Sequence, residues 1–103
     1  LLNLEEPPTC ICYADDFSAF GGINAIKERG LQIPDDISVA GYDGIQIGRH
    51  IEPQLTTLRQ DTTSLGKLAA EKLISLVEKP KTTIINQTVV KGELFAGKSV
   101  KKI

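Results

Sequence analysis

The 103-residue chain is long enough for one domain at most, and its 41% hydrophobic and 24% charged residues are ordinary for a soluble globular protein. A formal net charge of −1 with no long Lys/Arg block excludes a surface that grips nucleic acid by phosphate neutralisation, and no apolar run is long enough to span a membrane. The absence of methionine, even at position 1, reads as a piece of a longer protein cut near its start.

Taken in chain order, Glu5-Glu6-Pro7-Pro8 is a polar, rigid lead-in, and Thr9 to Ala14 reads as a short strand apolar on both faces. Cys10 and Cys12 within it share one strand face and are expected to be small buried hydrophobes, since their spacing suits no easy bridge. His50, the single histidine, is too far along the chain to complete a metal site with them, so no metal or other cofactor is expected. Asp15 and Asp16 follow, and either can cap a helix whose apolar positions are Phe17, Phe20, Ile23 and Ile26. Gly30 suits the left-handed residue that ends such a helix, and Pro34 forbids its resumption.

Pro34-Asp35-Asp36 makes a turn into a second strand, Ile37 to Tyr42, with Gly41 placed for a close approach near its end. A strand, a helix and another apolar strand describe a β-α-β unit with a parallel sheet, so the fold class is α/β. Asp43-Gly44 is a turn signal, and Ile45 to Gln54 shows no clear period. Leu55 to Arg59 reads as a third strand. Asp61 or Thr62 then caps a helix with an apolar stripe at Leu65, Leu68, Ala69, Leu73, Leu76 and Val77. Ile84 to Val90 and Leu94-Phe95 read as two more short strands, and Lys98, Lys101 and Lys102 as a solvated tail.

Ligands of open parallel sheets bind beyond the carboxyl ends of the strands, and here three such ends carry polar groups. Asp15-Asp16 follows the first, Asp43 the second, and Arg59-Gln60-Asp61 the third. Each has a plainer reading, as helix cap, turn or solvated neighbour; their coincidence on one rim favours a pocket. Carboxylates accept charge-assisted bonds from hydroxyls and an amide both donates and accepts, so the set suits a sugar or another polyhydroxylated molecule. Tyr13, Phe17 and Tyr42 are read first as core packing, with an aromatic face for a ligand as the alternative. A Mg²⁺-dependent phosphotransfer domain could also use Asp15, Asp16 and Asp43. It is disfavoured because no Lys follows a later strand at a suitable place and because the two carboxylate positions lie only about 28 residues apart.

Asp36-Ile37-Ser38-Val39-Ala40-Gly41-Tyr42-Asp43, then Leu55-Thr56-Thr57-Leu58-Arg59-Gln60-Asp61 and Leu65-Gly66, resembles the C-terminal part of the lactose/galactose-repressor family of transcriptional regulators. Asp16-Phe17-Ser18-Ala19-Phe20-Gly21, Glu28-Arg29-Gly30-Leu31 and Ile33-Pro34-Asp35-Asp36 match the preceding segment in order and spacing, so the resemblance covers roughly Pro8 to Gly97. It implies the C-terminal part of a two-lobed, type I periplasmic-binding-protein-like sensor domain. Residues 8–59 and about 86–103 would belong to the C-terminal lobe and about 61–85 to the N-terminal lobe, with the DNA-binding headpiece absent from this chain. It further implies a cytoplasmic, non-enzymatic regulator, a homodimer that senses a small effector, most simply a sugar, and touches DNA only through that headpiece. The alternative is a periplasmic-type sugar-binding protein of the same fold.

By position, the resemblance makes Asp43 the effector-binding aspartate, Asp15 a second effector-facing residue and Gln60 a hinge residue close to the effector. Thr62 stands where several members stack an aromatic ring on the effector, and Gly44 where Asp or Asn is common. Dimer contacts would come from the first helix and the loop after Asp43, with Phe20, Asn24, Ile47 and Ile51 as candidates. Phe20 and Ile51 read equally well as core residues.

Overall fold

The computed structural model describes residues 1–102. They form two compact units: Leu1–Arg59 together with the segment from Glu93 onward, and Gln60–Gly92.

The first unit is built on a sheet in the order β1 (Cys10–Cys12), β2 (Ser38–Asp43), β3 (Thr56–Arg59) and β4 (Glu93–Phe95). The first three strands run parallel, with Ile11 opposite Val39 and Gly41 opposite Thr57, and β4 is antiparallel to β3. The β1–β2 pairing reaches one residue past each end of β1, through Ser38 N–H to Thr9 O and Tyr13 N–H to Ala40 O, both 2.8 Å. Strand and helix around the first crossover thus follow the expected β-α-β order, and the α/β class is confirmed by the parallel pairs.

Helix α1 (Asp16–Glu28) begins at Asp15, whose carboxylate accepts the Ser18 N–H at 2.8 Å, and ends at Gly30, which takes φ 74°. Its buried apolar side chains are Ala19, Ile23 and Ile26, and they pack with Ile37, Val39 and Leu55 into the core. Phe17 departs from the expected stripe: it is 71% exposed and touches the Phe20 ring edge-on at 6.0 Å. The helix meets the sheet through positions 19, 23 and 26, a 3.6-residue repeat that carries Phe17 off the packed face. Phe20 and Ile51 are partly buried against the core, Tyr13 packs there too, and Tyr42 is not core but 41% exposed.

Cys10 and Cys12 are both exposed free thiols, contrary to the expectation of burial. Strand side chains alternate between faces, and Ile11, on the face opposite the two cysteines, is the one that packs against the core under α1. Partial desolvation beside its neighbours, with Cys12 as a lesser cause, holds the exposed Cys10 thiol above the usual thiol range.

The C-terminal segment is stitched into the sheet through Ser99, while Lys98, Lys101 and Lys102 are exposed, as expected of a solvated tail. Ser99 is fully buried; its hydroxyl donates to Val39 O at 2.6 Å and accepts the Thr56 N–H at 2.8 Å. Ser99 O also accepts the Val39 N–H at 2.8 Å, so this segment occupies the place beside β2 that β3 has not yet reached. The ammonium of Lys101 bonds to Asp35 O.

In the second unit, helix α2 (Thr62–Glu78) is capped by Asp61, whose carboxylate takes the Ser64 N–H at 3.0 Å and the Ser64 hydroxyl at 2.6 Å. The chain then folds back: the Thr83 hydroxyl donates to Ser75 O at 2.8 Å and Lys72 Nζ to Ile84 O at 2.7 Å. The apolar stripe is where it was expected, but no α2 residue is buried, and Leu73 is 63% exposed. The expected strand at Ile84 to Val90 does not form. The segment has no regular secondary structure and is exposed from Ile84 to Val89, since Gln60–Gly92 supplies no other strand for its backbone to pair with.

Candidate functional site

The carboxyl ends of β1, β2 and β3 form one rim of the sheet in the first unit. Two of the three residues named from sequence stand on it, and Gln60 is the next residue of the chain, opening the second unit.

Asp15 follows β1 and caps α1. Its two oxygens take the backbone N–H and the hydroxyl of Ser18, both at 2.8 Å. The Ser18 N–H, and after it the Ser18 hydroxyl, hold the Asp15 carboxyl below the usual carboxylate range. A carboxylate offers about four acceptor directions, so two bonds to Ser18 leave acceptor capacity on an ionised group.

Asp43 ends β2 in the left-handed half of backbone space, at φ 104°, followed by Gly44 at φ 71°. Such a backbone costs about 1–3 kcal/mol for a residue with a Cβ and persists only where neighbours enforce it. Gly44 needs its glycine for a second reason: a Cβ there would run into the backbone of Arg59, the residue paired opposite Asp43 on β3. Arg59 turns its guanidinium to Glu93 at 3.1 Å, an exposed pair of the kind that contributes about 0–1 kcal/mol.

Asp16, named from sequence as a possible cap, as part of the first polar strand end and as a candidate Mg²⁺ carboxylate, takes a different place: it turns inward. It is fully buried, accepting the Thr57 hydroxyl at 2.7 Å and the Ile45 N–H at 2.8 Å. The Thr57 oxygen in turn accepts the Gly44 N–H at 3.2 Å. The available signal was Gly41: a Cβ there would collide with the Asp16 carboxylate and with Leu55, so the close approach foreseen at this glycine is made by a side chain of α1.

Of the candidate dimer residues, Asn24 is exposed on α1 and Ile47 is 54% exposed on the short 3-10 helix Gln46–Arg49, while Phe20 and Ile51 divide their surface between core and solvent. Among the described residues no group of three or more His, Cys, Asp or Glu is arranged to hold a metal ion. No helix among them is long and apolar enough to cross a membrane. An open groove of about 470 Å³ lies in the second unit, with its lining drawn wholly from Leu65 to Val90.

The periplasmic binding protein-like domain family matches residues 1–100. The chain belongs to this family. A probable HTH-type transcriptional repressor, ExuR, of Bacillus subtilis is 43% identical over 82 residues, covering 80% of this chain and 25% of that protein. The ribose operon repressor of Haemophilus influenzae is 37% identical over 97 residues, covering 90% of this chain and 29% of that protein. Among solved structures, a LacI family transcriptional regulator from Enterococcus faecalis V583 with bound ribose superposes with a TM-score of 0.85 at 31% identity, over 96% of this chain and 36% of that one. The chain thus spans about a quarter to a third of the length of these relatives. The resemblance to the lactose/galactose-repressor family is upheld, since these periplasmic binding protein-like relatives are LacI-type regulators and repressors.

Proposed function

We propose that this chain is the effector-sensing and dimerising part of a LacI-type transcriptional regulator, with a sugar as effector. The observation that carries the proposal is Asp43, held at φ 104° on the rim where the ligands of parallel α/β sheets bind. The identity to a ribose operon repressor and the likeness to a ribose-bound regulator support a sugar, and an ionised Asp15 nearby on the rim suits hydroxyl donors better than anions. Gln60 follows β3 directly and serves as hinge and third contact. The protein acts as a binding module rather than an enzyme, in the cytoplasm, where its DNA is. The operator is read by a headpiece outside this chain.

In this reading Leu1–Arg59 with the segment from Glu93 onward is the C-terminal lobe, and Gln60–Gly92 contributes to the N-terminal lobe. Phe20, Asn24, Ile47 and Ile51 meet a second copy; the exposure of Asn24 and Ile47 supports this. Effector binds the closed lobe arrangement better than the open one and shifts their populations, by no more than its differential affinity. A full switch from 1:99 to 99:1 requires about 5.5 kcal/mol of that difference.

The test is Asp43→Ala in the full-length protein. Sugar titration followed by calorimetry, and operator binding with and without sugar, should show loss of the effector response with basal operator affinity retained. An unchanged titration refutes the assignment of Asp43.

A further inference from the structure

We propose that Asp16 is a positioning residue for the effector site, acting with Thr57 to hold Asp43 and Asp15 at a set separation. The proposal rests on the reading of Asp43 as an effector contact. Three observations lead to it. Asp16 has no exposed surface, and both its oxygens are engaged outside its own helix, with Thr57 at 2.7 Å and Ile45 N–H at 2.8 Å. Thr57 also holds the Gly44 N–H at 3.2 Å, so the two amides directly after Asp43 end on one Asp–Thr pair. Gly41 leaves the space that the carboxylate fills, since any Cβ at that position would collide with it.

Packing alone does not account for a polar pair here. An apolar side chain of similar volume would avoid the desolvation that a buried carboxyl incurs, and would pack as well against Leu55. What an apolar residue cannot do is take the Gly44 and Ile45 amides in directed bonds. Those bonds supply the outside restraint that a positive-φ Asp43 requires. Asp16 is also the chain neighbour of Asp15, so the same carboxylate ties the start of α1 to the loop after β2. The spacing between the two candidate effector carboxylates is therefore set by one residue that touches no effector itself.

The experiment uses the full-length protein with Thr57→Val, Thr57→Ser and Asp16→Asn. The first readout needs no ligand: amide hydrogen exchange at Gly44 and Ile45. Thr57→Val, which removes the acceptor of the Gly44 N–H, should speed exchange at Gly44 by about tenfold or more, the scale of one unpaired buried group, while the amides of Ile23 and Ile26 keep their wild-type rates. Thr57→Ser, which keeps the hydroxyl, should restore slow exchange. The second readout is affinity for D-ribose, measured well below each variant's melting temperature. It should weaken by about tenfold in Thr57→Val and recover in Thr57→Ser. Asp16→Asn, which retains an acceptor for Ile45 but offers an NH₂ to Thr57, should fall between them and replaces Thr57→Val if that variant does not fold. Wild-type exchange in Thr57→Val overturns the proposal, and so does faster exchange with undiminished ribose affinity. If wild-type protein binds neither ribose nor any other sugar, the sugar reading fails instead, and the exchange readout still decides whether Asp16 and Thr57 hold this loop.

Discussion

At the scale of single residues, the chain places unusual demands on a few positions along the rim. Asp43 and Gly44 are consecutive positive-φ residues, and Gly44 lies against the backbone of Arg59. Gly44→Ala should therefore lower stability by about 1–3 kcal/mol, read as a reduced urea midpoint with an unchanged slope. Asp15 allows a pH test. Its folded pKa lies below the unfolded value, so its stabilising contribution is complete above about pH 4, the unfolded range, and is lost as pH falls through the lower folded value. Asn caps a helix as well as Asp does, so Asp15→Asn should melt like wild type at neutral pH and lose less stability on acidification below about pH 4. Parallel melting curves for the two proteins at every pH would contradict this. From sequence, Asp15 and Asp16 were interchangeable caps. Which one capped and which one turned inward depended on Thr57 and Ile45, which lie 41 and 29 residues away from Asp16.

At the scale of elements, the two helices start alike and end up in different environments. Each begins with an Asp that bonds the N–H and hydroxyl of a Ser three residues on: Asp15 with Ser18, and Asp61 with Ser64. These starts were legible because a cap is local chemistry. Burial was not. In α1, Ile26 is 1% exposed, and Ile26→Ala should cost about 2–5 kcal/mol. In α2, Leu73 is 63% exposed, so Leu73→Ala in this chain should stay within about 0.5 kcal/mol, with urea denaturation measuring both. The same asymmetry should appear as slower amide exchange in the second half of α1 than at matching positions of α2. Ile84 to Val90 makes the point for strands. Its β-branched pattern is a capacity to pair, and Gln60–Gly92 contains no strand to pair with.

For the molecule as a whole, the proposed sensor role gives an expectation that links ligand binding to operator binding. A sugar that binds the folded state at about one hundred times its Kd adds about 2.7 kcal/mol of stability, visible as a rise in Tm. Such a rise in the full-length protein should accompany a change in operator affinity, and Asp43→Ala should remove both together. A sugar that raises Tm without altering operator binding would argue for a binding protein with no regulatory link.

The strand that ends at Asp43, the helix between it and β1, and the place of both helix starts followed from residue order alone, because turns and apolar periodicity are decided within a few residues; which of Asp15 and Asp16, and which of Asp61 and Thr62, made the cap did not. The family followed from the order of several short motifs. Three matters needed the tertiary structure: that Cys10 and Cys12 face outward, that Phe17 leaves the core, and that Asp16 grips the loop carrying Asp43. Each depends on which segment lies across from the residue, a relation between distant parts of the chain that local pattern does not encode.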